Sequence, residues 1–360
     1  MITTDHTAPH TAPHPVPAPD VRPPPFSVIS GGQVQEVLFG RERDIVKVVG
    51  DTYRLHGSGL TVNPPSSFLR FPDRRTARII ALPASIGGPT PVDGLKWISS
   101  FPENVTHGLP RASAVLILND PATGYPFACL ESSIISASRT AACAALAADQ
   151  LSRGSPRPAR IGFVGAGLIA RYVHTFLTRT GWQFDELGVQ DISPHSANGM
   201  RTYLEQTGSG GRITIHRTTE ELIRNSDLLV FATVAGKPHV FEPSWFAHHP
   251  LVLHLSLRDL APAVLLASTN IVDDIDHCLR AETSPHLTER LTGDRTFIAG
   301  TLDEAMTGQV NIPADRTTVF SPFGLGILDL AVGKYVYDAV ARAGGLGCID
   351  GFFHELRRHG

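Results

Sequence analysis

At 360 residues the chain is long enough for two domains, and a hydrophobic share of 42% allows each a core. A formal charge of −3 gives no reason to expect a nucleic-acid partner, and no apolar run reaches the roughly 18 residues of a membrane span. Four scattered cysteines, Cys129, Cys143, Cys278 and Cys348, lack C-x-x-C spacing, which suits thiols packed as small apolar groups in a reducing cytoplasm, and no metal site is expected.

Residues 1–25 are rich in Pro, Thr and His and have no apolar core, so they read as a disordered tail and not an export signal. Its His6, His10 and His14 could bind a metal only adventitiously. Residues 34–56 read as an opening helical segment, 78–82 and 114–118 as strands, and 119–126 as the turn of a hairpin that continues into 127–130. An alanine-rich helix is expected over 132–151. Arg153-Gly154-Ser155-Pro156-Arg157-Pro158 then breaks the chain at a plausible domain boundary.

The next stretch, Ile161-Gly162-Phe163-Val164-Gly165-Ala166-Gly167-Leu168-Ile169-Ala170, is a short strand running into a G-x-G-x-x-A turn. Gly165 allows the sharp turn, Gly167 lets a pyrophosphate approach the backbone, and Ala170 lets helix and strand pack closely. The helix over 168–177 would aim its first N–H groups at the phosphates, with Leu168 and Ile169 in its first turn. A second strand over 187–190 ends at Asp191, placed to accept the ribose hydroxyls of NAD and to repel the 2′-phosphate of NADP. The plainer alternatives are an empty doubly wound domain and a turn or capping acid at 191.

Strand and helix alternate from residue 160 to about 313, with further strands at 213–216, 228–233, 251–256 and 270–272, and a helix opened by Thr218-Thr219-Glu220-Glu221. A last helix is expected over 326–343, ending at Gly344-Gly345. Its face of Leu328, Ala331, Tyr335, Ala339 and Val340 needs a partner, and packing on the first domain would make the nucleotide domain an insertion.

Arg70, Lys96, Arg111 and Arg139 stand at positions that read as turns or helix starts, and such cations beside a nucleotide cleft suit a substrate bearing carboxylates. Each can equally be a surface charge. Asp259 follows the strand over 251–256 at the carboxyl edge where such sheets bind ligands; it can transfer protons during amine oxidation, cap the next segment, or pair with Arg258. Thr233 closes a neighbouring strand and could touch the nucleotide.

In order along the chain, Arg78-Ile79-Ile80-Ala81-Leu82-Pro83-Ala84-Ser85-Ile86-Gly87-Gly88, Gly94-Leu95-Lys96-Trp97-Ile98, Leu116-Ile117-Leu118-Asn119-Asp120-Pro121 and Ser138-Arg139-Thr140-Ala141-Ala142 resemble the ornithine cyclodeaminase and mu-crystallin family. The likeness covers residues 34–343. Ser85 to Gly88 with Lys96 to Ile98, and Ser321-Pro322-Phe323-Gly324-Leu325-Gly326-Ile327-Leu328-Asp329, are most similar to its branch of N-(2-amino-2-carboxyethyl)-L-glutamate dehydrogenases, which form L-2,3-diaminopropionate for siderophores or peptide antibiotics. Cyclodeaminases proper carry Asp-Ser-Val-Gly-Phe-Ala-Leu-Glu-Asp at the second place and Val-Gly-Gly-Asp where this chain has Ser256-Leu257-Arg258-Asp259, which puts ornithine cyclisation in doubt.

The resemblance implies an α/β fold, with a Rossmann-type doubly wound NAD domain over 158–317 inserted in an α+β substrate-binding and dimerisation domain of residues 26–152 and 318–360. It implies Arg70, Lys96 and Arg139 around the substrate carboxylates. Gly165, Ala166, Gly167, Leu168, Ile169, Asp191, Thr233, Leu255, Ser256 and Leu257, with Arg139, would lie along NAD. Asp259 would be the proton-transfer residue, with Lys96 beside it in the chemistry. A cytoplasmic homodimer acting on a small amino-acid substrate is expected, with an imine reductase or a catalytically silent crystallin-like protein as the rival readings.

Overall fold

The computed structural model describes residues 25–154, 156–208 and 210–354, so the expected tail lies outside the described residues except for Pro25. Strands β1 (Phe26–Ile29), β2 (Thr61–Val62), β3 (Ser67–Arg70), β4 (Arg78–Ile86), β5 (Val92–Ser100), β6 (Ala112–Asn119) and β7 (Pro126–Glu131) build one sheet. Strands β8 (Arg160–Val164), β9 (Glu186–Gln190), β10 (Arg212–Ile215), β11 (Leu228–Phe231), β12 (Leu251–His254), β13 (Thr269–Val272), β14 (Ile298–Thr301) and β15 (Thr318–Ser321) build a second, and β16 (Gly347–Ile349) returns to the first beside β1.

The second sheet runs β10-β9-β8-β11-β12-β15-β13-β14 with every pair parallel. Its central strands are continuous apolar runs with no alternation, because helices cover both faces; Leu228–Phe231 and Leu251–His254 are buried at every position. The first sheet runs β16-β1-β7-β6-β5-β4-β2, with β3 also on β4, and is antiparallel save for the β1 and β7 pair. It alternates: Leu116 and Leu118 on β6 are covered while Val115 is exposed. The molecule is thus α/β, a doubly wound layer joined to an α+β one.

The helix Ser133–Leu151 sits between the layers, against the helices Glu42–Gly57 and Leu168–Arg179. Its buried Ala141, Ala142, Ala144, Ala145, Ala147 and Ala148 let neighbours approach on several sides, which a helix of large residues would forbid. After β15 the helix Gly326–Arg342 crosses back onto β4, β5 and β6. Gly333 faces the sheet there, since a Cβ would lie 2.1 Å from Leu116 Cδ2.

Several expectations shift. The opening helical segment is two helices, Gly31–Leu38 and Glu42–Gly57, because Gly40 breaks it at a φ of +75°. The strand expected over 78–82 continues to Ile86, and β5, the helix Pro194–Gln206, β14 and β15 were not foreseen. The return at 318 cuts through β15, which stays in the parallel sheet to Ser321. On the last helix the covered stripe is Leu328, Val332, Val336 and Val340, while Ala331, Tyr335 and Ala339 are only half-covered. Most consequentially, Lys96 lies in mid-strand and not at a turn, while Arg139 lies in the second turn of its helix.

Candidate active site

The carboxyl edge of the parallel sheet gathers the glycine turn and the strand-end residues. Gly165 follows β8 at a φ of +92°, and a Cβ there would come within 2.7 Å of the Ala232 carbonyl oxygen. Gly167 caps the helix Leu168–Arg179, and a Cβ there would meet nothing within 4 Å, so the space beside it is open. Leu168 is exposed and Ile169 half-covered in the first turn. Asp191, just past β9, accepts the Ala166 N–H and the Ser193 N–H, both at 2.8 Å, which fixes its carboxylate beside the turn. Leu255 and Ser256 follow β12 half-covered; Leu257 takes a left-handed φ of +68° and is buried.

Asp259 is fully buried and fully engaged. Oδ1 accepts Thr233 Oγ1 at 2.5 Å and His239 Nε2 at 3.0 Å, while Oδ2 accepts the Ser256 hydroxyl and lies 3.3 Å from His254 Nε2. Burial raises its carboxyl pKa, but the hydrogen bonds of His239, His254 and Ser256 outweigh that and hold it well below the usual carboxylate range. Arg258 does not pair with it; its guanidinium donates to the Ala281 carbonyl at 2.7 Å through Nη2.

Lys96 and Arg139 converge on Asp329, a residue with no role assigned from sequence. Lys96 Nζ donates to Asp329 Oδ2 at 2.6 Å and to Ser136 Oγ at 3.2 Å; Arg139 Nε donates to Oδ1 at 3.2 Å. Burial pulls the Lys96 amine down to about 8 against the pull of Asp329, and the neighbouring Arg139 charge adds to the lowering. Lys96 and Asp329 are buried, whereas the Arg139 side chain keeps 11% exposure. Arg139 reaches Gly324, whose Cβ would lie 2.5 Å from Nη1, and Gly324 donates its N–H to Asp273 Oδ2 at 2.7 Å. The triad therefore abuts the segment leaving the carboxyl end of β15.

Arg70 belongs to a second group of cations. It lies opposite Arg78 in the β3 and β4 pair, and Arg78 lies opposite Ser100, which accepts Arg111 Nη1 at 2.9 Å. Like charges directly opposite one another destabilise a sheet. Burial first, then the charges of Arg258, Arg111 and Arg70, lowers the Arg78 pKa, so Arg258 from the parallel-sheet lobe is within electrostatic reach. Among the described residues none of the four has a carboxylate at ion-pair distance. Arg78 and Lys96 occupy one face of the sheet, since Lys96 pairs with Leu82 and successive side chains alternate.

A lone acid in the apolar run Gly326-Ile327-Leu328-Asp329-Leu330-Ala331 is the sequence signal that could have found Asp329, because an acid there needs buried partners. No sequence pattern distinguishes His239 or Arg78.

Residues 33–344 match the model of the ornithine cyclodeaminase/mu-crystallin family. The nodulation efficiency protein NfeD of Rhizobium meliloti is 31% identical over 312 residues, 84% of this chain and 92% of that protein. The N-((2S)-2-amino-2-carboxyethyl)-L-glutamate dehydrogenase of Staphylococcus aureus is 28% identical over 329 residues, 84% of this chain and 95% of that protein. An archaeal alanine dehydrogenase dimer solved with bound NAD superimposes with a TM-score of 0.79 at 25% identity, covering 91% of this chain and 99% of that one.

Proposed function

Because the chain belongs to the ornithine cyclodeaminase/mu-crystallin family, we propose that it is an NAD-dependent oxidoreductase cleaving N-(2-amino-2-carboxyethyl)-L-glutamate to L-2,3-diaminopropionate and 2-oxoglutarate. NAD supplies the hydride acceptor for the α-carbon of the glutamate moiety. The residues of the turn fit that group: Gly167 leaves open space at a helix N-terminus, and Asp191 offers a carboxylate suited to ribose hydroxyls and hostile to a 2′-phosphate. Gly167→Val should therefore leave the thermal midpoint near native while weakening NAD binding at least tenfold by titration calorimetry; unchanged affinity would move the pyrophosphate elsewhere.

The observation that carries the substrate reading is the set Arg70, Arg78, Arg111 and Arg258, none with a carboxylate at ion-pair distance among the described residues, with Arg70 and Arg78 on the sheet face that also bears Lys96. A ligand with three carboxylates offsets that charge; alanine and proline bring one, and ornithine adds an ammonium that guanidiniums repel. Arg139, whose guanidinium meets the segment after β15, grips the carboxylate nearest the reacting carbon, and Lys96 backs it with a charge held by Asp329. Arg258 is the cation supplied by the nucleotide lobe, so binding closes the two lobes on one molecule. Replacing Arg258 with Ala should raise KM for this substrate tenfold or more and leave kcat within a few-fold. An unchanged KM would remove the cluster from substrate recognition.

The reading extends to a cytoplasmic homodimer serving a siderophore or peptide natural product. Val28, Leu69, Trp97 and Val115 are exposed on the sheet face opposite Lys96, a broad apolar surface that a second copy would cover.

A further inference from the structure

Asp259 cannot take a proton easily where it stands. It has no exposed surface, both oxygens are occupied, and its carboxyl is held in the ionised form. Two imidazoles touch it, and they differ. Asp259 meets His254 Nε2 from two sides, with its N–H at 3.2 Å and its Oδ2 at 3.3 Å, while His254 Nδ1 lies 3.2 Å from Ser321 Oγ. His254 is also wholly buried, which leaves it as a structural brace. His239 is 38% exposed, its Nε2 rests on Asp259 Oδ1, and its Nδ1 has no protein partner among the described residues. Its backbone is pinned as well: the N–H groups of His239 and Val240 both donate to the Asp259 carbonyl, at 2.9 and 3.0 Å. The ring thus stands at the carboxyl edge of β11 and β12, fixed at one nitrogen and open at the other.

We propose that His239, oriented by Asp259, is the proton acceptor of the amine oxidation. The assignment rests on the reading above that a CH–NH bond is oxidised. The substrate's secondary ammonium gives one proton to His239 Nδ1 and becomes the neutral amine. The α-carbon then loses hydride, with its electron pair, to the oxidised nicotinamide, which leaves a protonated imine. Water adds to that carbon, one of its protons passing to nitrogen. The C–N bond breaks as the second hydroxyl proton leaves with the amine, giving 2-oxoglutarate and diaminopropionate as its ammonium. One proton remains on His239 and is released to solvent, so the sum is substrate, NAD and water going to two products, NADH and one proton. Asp259 stays ionised throughout and stabilises the imidazolium, the part a carboxylate plays behind a catalytic histidine.

The test compares His239→Ala and His239→Gln with the native protein, using N-(2-amino-2-carboxyethyl)-L-glutamate, alanine, ornithine and proline as donors. Three readings are taken: NADH formation, NAD affinity by calorimetry, and recovery by added imidazole. With whichever donor the native protein oxidises, the expected result is a fall in kcat of a hundredfold or more in both variants, NAD affinity within twofold, and at least tenfold recovery of His239→Ala by imidazole. More than a third of native kcat in His239→Ala would overturn the assignment. So would a loss that imidazole does not recover. Oxidation of a donor other than the tricarboxylate defeats the substrate reading alone, since His239 is then judged on that donor by the same ratios; NADH from none of them defeats both.

Discussion

Asp259→Asn is expected to lower kcat by about a hundredfold or more while NAD affinity stays near native, because general acid–base groups contribute on that scale. The amide keeps the size of the carboxylate and removes its charge, so Thr233 and Ser256 can rotate their hydroxyls and still bond to it, but the His239 imidazolium loses its counter-ion. Stability should change in a defined direction too. Burial raises the carboxyl and the hydrogen bonds of His239, His254 and Ser256 more than cancel this, leaving a folded value below the unfolded 3.8. The stabilisation is complete above the unfolded value and is lost as pH falls toward the folded one. Asp259→Asn should therefore flatten the acid limb of stability against pH, measured as urea midpoints from pH 6 downward. Near-native turnover in this variant would separate Asp259 from the chemistry.

Asp329→Asn is expected to have the largest effect on folding, a loss of about 3–5 kcal/mol, because it strips the carboxylate shared by the buried Lys96 and the largely covered Arg139. The native Lys96 amine titrates at about 8, below its ordinary 10.5. Between those values the unfolded chain binds the extra proton, so stability rises with pH across that window. Without Asp329 the amine falls further, and the rise begins at lower pH. Urea denaturation from pH 6 to 10 reads both effects. A loss under 1 kcal/mol, or an unmoved window, would mean that solvent reaches the triad and screens it. Replacing Lys96 with Met in the same chain should recover part of the loss, since one uncompensated charge is removed.

Much of this was written locally. The turn at Gly165 to Gly167, the acid after β9 and the alanine-rich helix follow from short-range steric rules, and the sequence placed each of them. The order of family motifs also implied a doubly wound layer between two parts of an α+β one, as the strand orders have it. What escaped depends on long-range pairing. β5 reads as a turn because Gly94 interrupts it, yet that glycine is there because a Cβ would lie 2.2 Å from the Ile117 carbonyl oxygen of the adjoining strand. β15 is four residues ending before Pro322, too short to show a period. Lys96, Arg139 and Asp329 come from three elements distant in sequence, so their union could not be read from any of them. The contact of His239 with Asp259 arises from the path of the loop after β11, which carries no local signature.

The central claim is that the arginine cluster and the His239 and Asp259 pair serve the NAD-dependent opening of a tricarboxylate amine. It is tested most directly by incubating the protein with NAD and N-(2-amino-2-carboxyethyl)-L-glutamate, and in parallel with ornithine and alanine, following NADH and identifying products by mass spectrometry. The account predicts NADH, 2-oxoglutarate and diaminopropionate in equal amounts from the first donor alone. Proline from ornithine without net NADH, or NADH from alanine but not from the tricarboxylate, would contradict it.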